Sequence, residues 1–125
     1  MRLLIDTHLF LWVVTDSRKL KLAARKAIEA ADAVYVSAAS IWEIAIKERL
    51  GKIEGDPRQL AEAIEPSGFY ELPVTAQHAA RVGLLPEHHH DPFDRLLVAQ
   101  ALTEPLVLLT GDAQLAKYGE LVQLV

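Results

Sequence analysis

The arrangement of apolar residues along the chain predicts a layered fold of strands and helices. Short runs of Val, Ile and Leu alternate with longer segments whose apolar residues recur at helical spacing. The runs predict five strands, at Arg2–Ile5, Ala33–Val36, Phe69–Leu72, Leu106–Leu109 and Leu121–Leu124. Strands that alternate with helices are typical of a parallel sheet covered by helices. We therefore predict an α/β fold in which a parallel sheet of about five strands is sandwiched between helices.

Seven helices are predicted between these strands. They span His8–Val14, Leu20–Ala31, Ala38–Leu50, Pro57–Ile64, Ala76–Leu84, Pro92–Leu102 and Ala113–Tyr118. Local signals support several of these boundaries. Asp56 precedes Pro57 in the pairing of an N-cap residue with a first-turn proline, and Asp91 begins a second such pair. Gly119 stands where the last helix ends, and glycine is common just after the end of a helix.

The size and composition of the chain indicate one folded domain. Its 125 residues are 51% hydrophobic and 24% charged, which is ordinary for a globular protein and unlike a disordered one. We therefore treat residues 1–125 as a single domain. The absence of cysteine excludes disulfides and thiolate metal sites, and it favours a cytoplasmic location. The apolar run from Leu3 to Val14 is too short to span a bilayer and is interrupted by Asp6, so no membrane segment is expected.

The charge distribution gives mixed information about a nucleic-acid partner. A formal net charge of -4 is the wrong sign for a protein that binds nucleic acid through a broad basic surface. Two local groups of basic residues soften that objection. They are Arg18, Lys19, Lys21, Arg25 and Lys26 in the first group and Lys47, Arg49 and Lys52 in the second. A solvated helix face is the simpler interpretation of each group taken alone.

Four acidic residues stand where the chain is otherwise apolar or where a predicted strand ends. Asp6 directly follows the first strand, and Asp112 follows the strand Leu106–Leu109. Glu43 is the only charged residue between Ala33 and Ile46, and Asp94 begins the helix in the segment DPFDRLLVAQAL. Burying a carboxylate without a partner is costly. Since ligands bind at the carboxyl ends of strands in open α/β sheets, we expect these four acids to meet in one crevice.

Each acid also has a simpler structural explanation. Asp6 and Asp112 could cap helices, and Asp91 with Asp94 matches a capping pair. Glu43 and Lys47 have the spacing of a favourable helical ion pair. Capping does not explain a glutamate in the middle of an apolar helix, nor the recurrence of acids at equivalent ends of successive strand–helix units. The joint pattern favours a functional acidic cluster.

The chemistry of such a cluster points to a hard divalent cation. Clustered carboxylates repel one another unless a cation neutralises them. Oxygen ligands without cysteine favour Mg²⁺ or Mn²⁺. A zinc site at His8, His89 and His90 is the weaker hypothesis, because adjacent loop residues seldom aim at one ion and no HExxH motif is present. Thr110 is an accessory candidate, since a hydroxyl at a strand end can orient a metal-bound water or a phosphate oxygen.

Four segments of the chain resemble successive motifs of PIN-domain ribonucleases, in the subgroup of bacterial and archaeal toxins of the VapC type. They are LLIDTHLFLW, VYVSAASIWEIAIKERLGKI, LPEHHHDPFDRLLVAQAL and LLTGDAQLAKYG, and they span nearly the whole chain. The resemblance implies a single PIN-like domain whose metal-binding quartet is Asp6, Glu43, Asp94 and Asp112. Asp91 and Arg95 in the third segment are further accessory candidates. His90 stands where the family pattern has Arg, and Leu115 stands where an aromatic residue is usual.

The function implied by this resemblance is an Mg²⁺- or Mn²⁺-dependent endoribonuclease that acts as the toxin of a toxin–antitoxin pair. Its expected partners are RNA, a cognate antitoxin and a second copy of the chain in a homodimer. The apolar run around Trp12 is a candidate surface for a partner chain, although ordinary core packing explains it as well. The alternative is a catalytically silent PIN module that binds RNA or an antitoxin without cleavage, and the intact quartet favours the enzyme.

Overall fold

All five predicted strands are present in the computed structural model, which describes residues 1–125, and every neighbouring pair is parallel. The strands are β1 (Arg2–Ile5), β2 (Ala33–Ser37), β3 (Tyr70–Leu72), β4 (Val107–Thr110) and β5 (Val122–Leu124). They form one sheet in the order β3-β2-β1-β4-β5. The prediction of a parallel five-stranded α/β sheet is therefore confirmed.

Helices occur at each of the seven predicted positions, with ends that differ from the prediction by at most two residues. They are α1 (Thr7–Val14), α2 (Leu22–Ala30), α3 (Ala38–Arg49), α4 (Pro57–Glu62), α5 (Ala76–Val82), α6 (Pro92–Thr103) and a short 3₁₀ helix (Ala113–Tyr118). None of these helices has the length and apolar character needed to cross a membrane.

The core lies on both faces of the sheet because successive residues of a strand point to opposite sides. In β1, Leu3 and Ile5 belong to one buried cluster that includes Phe10 of α1. Leu4 belongs to a second cluster, on the other face, with Leu97 of α6. Helices cover both clusters, so strands β1 and β4 are apolar on both sides and read in the sequence as continuous runs.

The strand order creates a crevice beside the centre of the sheet. From β1 the chain builds outward through β2 to β3, and it then returns to the other side of β1 to add β4 and β5. Ile5 is paired with Leu109, so the carboxyl ends of β1 and β4 lie next to each other. In open α/β sheets, this point where the winding reverses is where ligands bind.

Candidate active site

Asp6 lies at the reversal point, directly after β1, and it is only 8% exposed. Its Oδ1 accepts a hydrogen bond of 2.9 Å from the backbone N–H of Leu9, which makes it the N-cap of α1. Its Oδ2 accepts a hydrogen bond of 2.6 Å from the hydroxyl of Thr110 at the end of β4. Burial raises the pKa of Asp6 above its ordinary value, and the two hydrogen bonds partly oppose that rise.

Glu43 is 2% exposed and projects from α3 toward the start of α1. Its Oε1 accepts a hydrogen bond of 2.6 Å from the hydroxyl of Thr7, which also contacts the Ser40 hydroxyl at 2.9 Å. Its Oε2 accepts a 2.5 Å hydrogen bond from the ammonium group of Lys47 one helical turn later. The predicted Glu43–Lys47 ion pair is therefore formed, and both carboxylate oxygens of this buried acid have partners.

Asp94 lies in the first turn of α6, and its side chain is 21% exposed. The preceding Asp91 caps this helix, since its Oδ1 accepts the backbone N–H groups of Phe93 at 2.8 Å and Asp94 at 3.1 Å. Burial raises the pKa of Asp94 to about 7, and the negative charges of Asp91, Glu43 and Asp6 add to the effect. Three other carboxylates are thus close enough to Asp94 to oppose its ionisation.

Asp112 follows β4 and caps the 3₁₀ helix, where its Oδ1 accepts the backbone N–H of Gln114 at 2.9 Å. Its Oδ2 lies 2.9 Å from Nε2 of His89. Partial burial opposes the ionisation of Asp112, but the hydrogen bonds from His89 and Gln114 hold its pKa below its ordinary value. Its own backbone N–H donates to the Thr110 hydroxyl at 3.0 Å, so Thr110 connects Asp6 with Asp112.

The four predicted acids are thus placed along one edge of the sheet. A cavity of about 230 Å³ opens there, and Asp6 and Asp112 contribute to its wall. Its other lining residues are His8, Leu9, Trp12 and Gly111. The charge of Glu43 raises the pKa values of both Asp6 and Asp94, which places all three carboxylates within electrostatic reach of one another. Helix capping, the simpler explanation, is also correct for Asp6, Asp91 and Asp112.

The histidines and Arg95 have distinct positions around this cavity. His89 is the member of the histidine triplet that contacts the acids, whereas His90 is exposed and His8 is exposed at the cavity rim. Arg95 forms no ion pair with the acids, and its guanidinium donates to the carbonyl oxygens of Val82, Pro86 and His89 at 3.1 to 3.4 Å. Arg95 therefore braces the loop that carries His89.

Sequence reasoning missed the partners that hold the acids in place. Thr7 donates to the Glu43 carboxylate and also contacts the Ser40 hydroxyl, and His89 lies between Asp112 and Asp94. A local signal existed for Ser40, which stands three residues before Glu43 and so shares its helix face. No local signal pairs His89 with Asp112, because the two are 23 residues apart.

Comparison with known proteins gives a family and a relative that match nearly the whole chain. The sequence model of the PIN domain family matches residues 3–121. Ribonuclease VapC22 of Mycobacterium tuberculosis is 33% identical over 122 residues, which cover 92% of this chain and 90% of that protein.

Solved structures show the same fold at lower sequence identity. A toxin–antitoxin complex from Klebsiella pneumoniae contains a chain that is 19% identical, with a TM-score of 0.67 and coverage of 96% of this chain and 94% of that one. VapBC2 of Rickettsia felis, solved bound to a DNA fragment from its promoter, contains a chain that is 15% identical, with a TM-score of 0.68 and coverage of 100% and 98%. Since the family model spans nearly the whole sequence and the fold agrees, this chain belongs to the PIN-domain family.

Proposed function

We propose that this protein is an Mg²⁺- or Mn²⁺-dependent endoribonuclease and the toxin of a toxin–antitoxin pair. One observation carries the proposal: Asp6, Glu43 and Asp94 lie within electrostatic reach of one another where the winding of the sheet reverses, and Asp112 lines the same cavity as Asp6. The 33% identity to a protein named as a ribonuclease supports the reaction class.

The residues present fit a divalent cation. Burial first, and then the charges of Asp91, Glu43 and Asp6, raise the pKa of Asp94, and a bound cation would favour its ionised form. The donors are carboxylate oxygens, which Mg²⁺ and Mn²⁺ prefer. Asp6 and Asp94 would be the central ligands, with Glu43 as a ligand or base and Asp112 acting through water. When bound, the cation would activate water and neutralise charge developing on a phosphate.

The neighbouring polar groups fix the positions of these acids by hydrogen bonds. Thr110 donates to Oδ2 of Asp6, which fixes the plane of that carboxylate and leaves its remaining lone pairs for a ligand. Lys47 and Thr7 each donate to one oxygen of the buried Glu43 carboxylate and so fix its orientation. Asp91 fixes the first turn of α6 and with it the position of Asp94.

The surroundings of the cavity suit a polyanionic substrate despite the net charge of -4. Trp12 lines the acidic cavity and two neighbouring grooves. Lys19 lines both grooves, Lys21 lines one and Lys52 the other. Basic side chains beside an acidic site would hold the phosphates that flank the scissile bond of an RNA strand, and Trp12 offers a surface for base stacking.

An antitoxin partner and a homodimer belong to the same proposal. Two of the structural relatives are described as toxin–antitoxin complexes or as a toxin–antitoxin pair bound to promoter DNA. Leu9, Phe10 and Leu11 of α1 are buried in the core, whereas Trp12 is half-buried at the cavity and accessible to a partner. A basic segment of an antitoxin among the acids would block the site and complement its charge. The cytoplasm is the expected location for both chains.

The experiment is RNA cleavage by the purified chain with and without Mg²⁺ or Mn²⁺. We expect cleavage that EDTA abolishes and added Mg²⁺ restores. The Asp94→Asn variant should lose activity by at least about a hundredfold, because it keeps the shape of the side chain but removes a charge that binds the cation. Asp56→Asn, a change at an exposed helix cap away from the cluster, is the matched control and should keep full activity.

Two results would decide against this function. Cleavage by Asp94→Asn at the parent rate under saturating Mg²⁺ would show that the acidic cluster is not the active site. RNA binding by the parent without any cleavage, equally strong with and without Mg²⁺, would support the silent PIN module instead.

A further inference from the structure

His89 lies on the loop between α5 and α6, and its side chain is 11% exposed. Its Nδ1 is 3.0 Å from the backbone N–H of Asp91 and accepts a hydrogen bond from it. A backbone amide can only donate, so Nδ1 must carry a lone pair. The neutral ring therefore carries its hydrogen on Nε2.

The Nε2 side of the ring faces two acids of the candidate site. Nε2 lies 2.9 Å from Oδ2 of Asp112 and 3.6 Å from Oδ2 of Asp94. The N–H at this position donates to Asp112, while Asp94 at 3.6 Å lies beyond hydrogen-bond distance but within electrostatic reach of the ring. One imidazole N–H thus lies between the carboxylate that follows β4 and the carboxylate in the first turn of α6, at opposite ends of consecutive elements.

His89, Asp94 and Asp112 also lie close enough together to suggest a transition-metal site. One ligand atom from each of His89, Asp94 and Asp112 lies within 4.8 Å of the other two. A metal bound at Nε2 would need the lone pair there, which would move the hydrogen to Nδ1. That hydrogen would then point at the backbone N–H of Asp91, so two donors would face each other. The tautomer fixed by Asp91 makes His89 a donor and excludes it as a ligand.

Arg95 holds the loop that carries His89 in place through several hydrogen bonds. The guanidinium donates to the carbonyl oxygens of Val82 and Pro86 at 3.1 Å and of His89 at 3.4 Å, and it contacts the hydroxyl of Tyr118 at 3.3 Å. These contacts join the end of α5, the loop and the 3₁₀ helix that Asp112 caps. The position of the imidazole is therefore built into the fold.

We propose that His89 is a positioning residue of the active site, whose Nε2–H holds Asp112 beside Asp94 for a divalent cation that His89 does not itself ligate. The proposal rests on the proposed function for the role of the two acids. Partners of this kind, which orient metal ligands from outside, typically change metal affinity by 10- to 100-fold when removed.

The first test is Mn²⁺ binding to the purified chain, measured by calorimetry or by the electron paramagnetic resonance of free Mn²⁺, without RNA. His89→Ala should weaken Mn²⁺ binding by about tenfold or more. His89→Gln should recover part of this loss, because an amide N–H of glutamine reaches the place of Nε2. His90→Ala, in the exposed neighbour, is the matched control and should bind as the parent does. Circular dichroism establishes that each variant is folded.

The second test reads the tautomer directly. Long-range ¹⁵N–¹H spectra of the histidine rings should show a lone pair on Nδ1 and a hydrogen on Nε2 of His89, and both should persist when Mg²⁺ is added. Loss of the Nε2 hydrogen when Mg²⁺ or Zn²⁺ binds would show that His89 is a ligand and would overturn the proposal. Parent-like Mn²⁺ affinity in folded His89→Ala would overturn it as well.

These outcomes are separable from those of the proposed function. If the parent binds Mn²⁺ and His89→Ala binds it weakly, but neither cleaves RNA, the ribonuclease function fails and the positioning role of His89 stands. If the parent cleaves RNA in an Mg²⁺-dependent manner while His89→Ala matches it in Mn²⁺ affinity, the function stands and the positioning role is wrong.

Discussion

Asp94→Asn should stabilise the metal-free protein, although it removes an acid of the candidate site. The pKa of Asp94 is raised from 3.8 to about 7 in the folded protein. The folded state therefore binds more protons than the unfolded state between these two pH values, so the free energy of unfolding falls as pH rises through this range. Below about pH 4 the penalty is absent, and above pH 7 it is complete. Asparagine carries no charge, so the Asp94→Asn variant does not have this penalty.

The size of the effect follows from the same pKa difference. Raising a carboxyl pKa from 3.8 to about 7 corresponds to about 4 kcal/mol of destabilisation when the group is fully ionised. The side chain is 21% exposed, and solvent screening reduces this figure, so we expect about 2 kcal/mol. For a chain of this length, that is a rise in melting temperature of about 8 °C.

The assay is thermal unfolding followed by circular dichroism in EDTA, at pH 8 and at pH 4.5. Asp94→Asn should melt above the parent at pH 8, and the difference should shrink strongly at pH 4.5. Asp56→Asn removes one negative charge from an exposed helix cap and should show no such gain. Added Mn²⁺ should raise the melting temperature of the parent more than that of Asp94→Asn, since a ligand stabilises the state that binds it.

The reasoning is refuted if Asp94→Asn is no more stable than the parent at pH 8. It is refuted equally by a stability difference that stays constant from pH 4.5 to pH 8, because a constant difference would come from packing and not from ionisation. Either result would mean that the carboxylates are farther apart, or better solvated, than the raised pKa of Asp94 implies.

Three further predictions follow from the site and its surroundings. Thr110→Val should lower the free energy of unfolding, measured by urea denaturation, by about 1 to 3 kcal/mol, because Asp6 and the N–H of Asp112 lose a buried hydrogen-bond partner. The control Thr103→Val should lower it less, since the Thr103 hydroxyl is only half-buried. A zinc-selective chelator that spares Mg²⁺ should leave RNA cleavage unchanged, and complete loss of cleavage would overturn the choice of Mg²⁺ or Mn²⁺. Trp12→Glu should reduce capture of the co-expressed antitoxin in pull-downs while Mn²⁺ affinity stays within about twofold of the parent, and undiminished capture would place the antitoxin elsewhere.

Much of the fold could be read from the sequence because its signals are local. A buried parallel strand is a short apolar run, and a helix over a sheet repeats its apolar residues at helical spacing. Asp56 with Pro57 and Asp91 with Pro92 marked two helix starts correctly. The ends of helices were less certain, since fraying and 3₁₀ turns shift a boundary by a residue or two.

The four acids could also be selected from the sequence, for two different reasons. Glu43 is conspicuous because a charged residue in an apolar helix needs a partner. Asp6 and Asp112 are conspicuous because they follow strands, and the cap role that each performs is the same feature seen locally. Pattern alone could not separate a helix cap from a candidate functional acid, since Asp6 and Asp112 each cap a helix and also line the cavity of the candidate site.

The tertiary structure decided what surrounds each acid, because those contacts join residues that are remote along the chain. The sequence determined that Asp6 ends a strand, but the order of the strands placed Thr110, 104 residues later, against its carboxylate. The sequence offered three adjacent histidines, and the path of one loop turned only His89 toward Asp112 and Asp94. Hydrophobic periodicity fixes which elements form and which faces are buried, whereas the orientation of a polar side chain depends on partners that only the packed sheet brings within hydrogen-bonding distance.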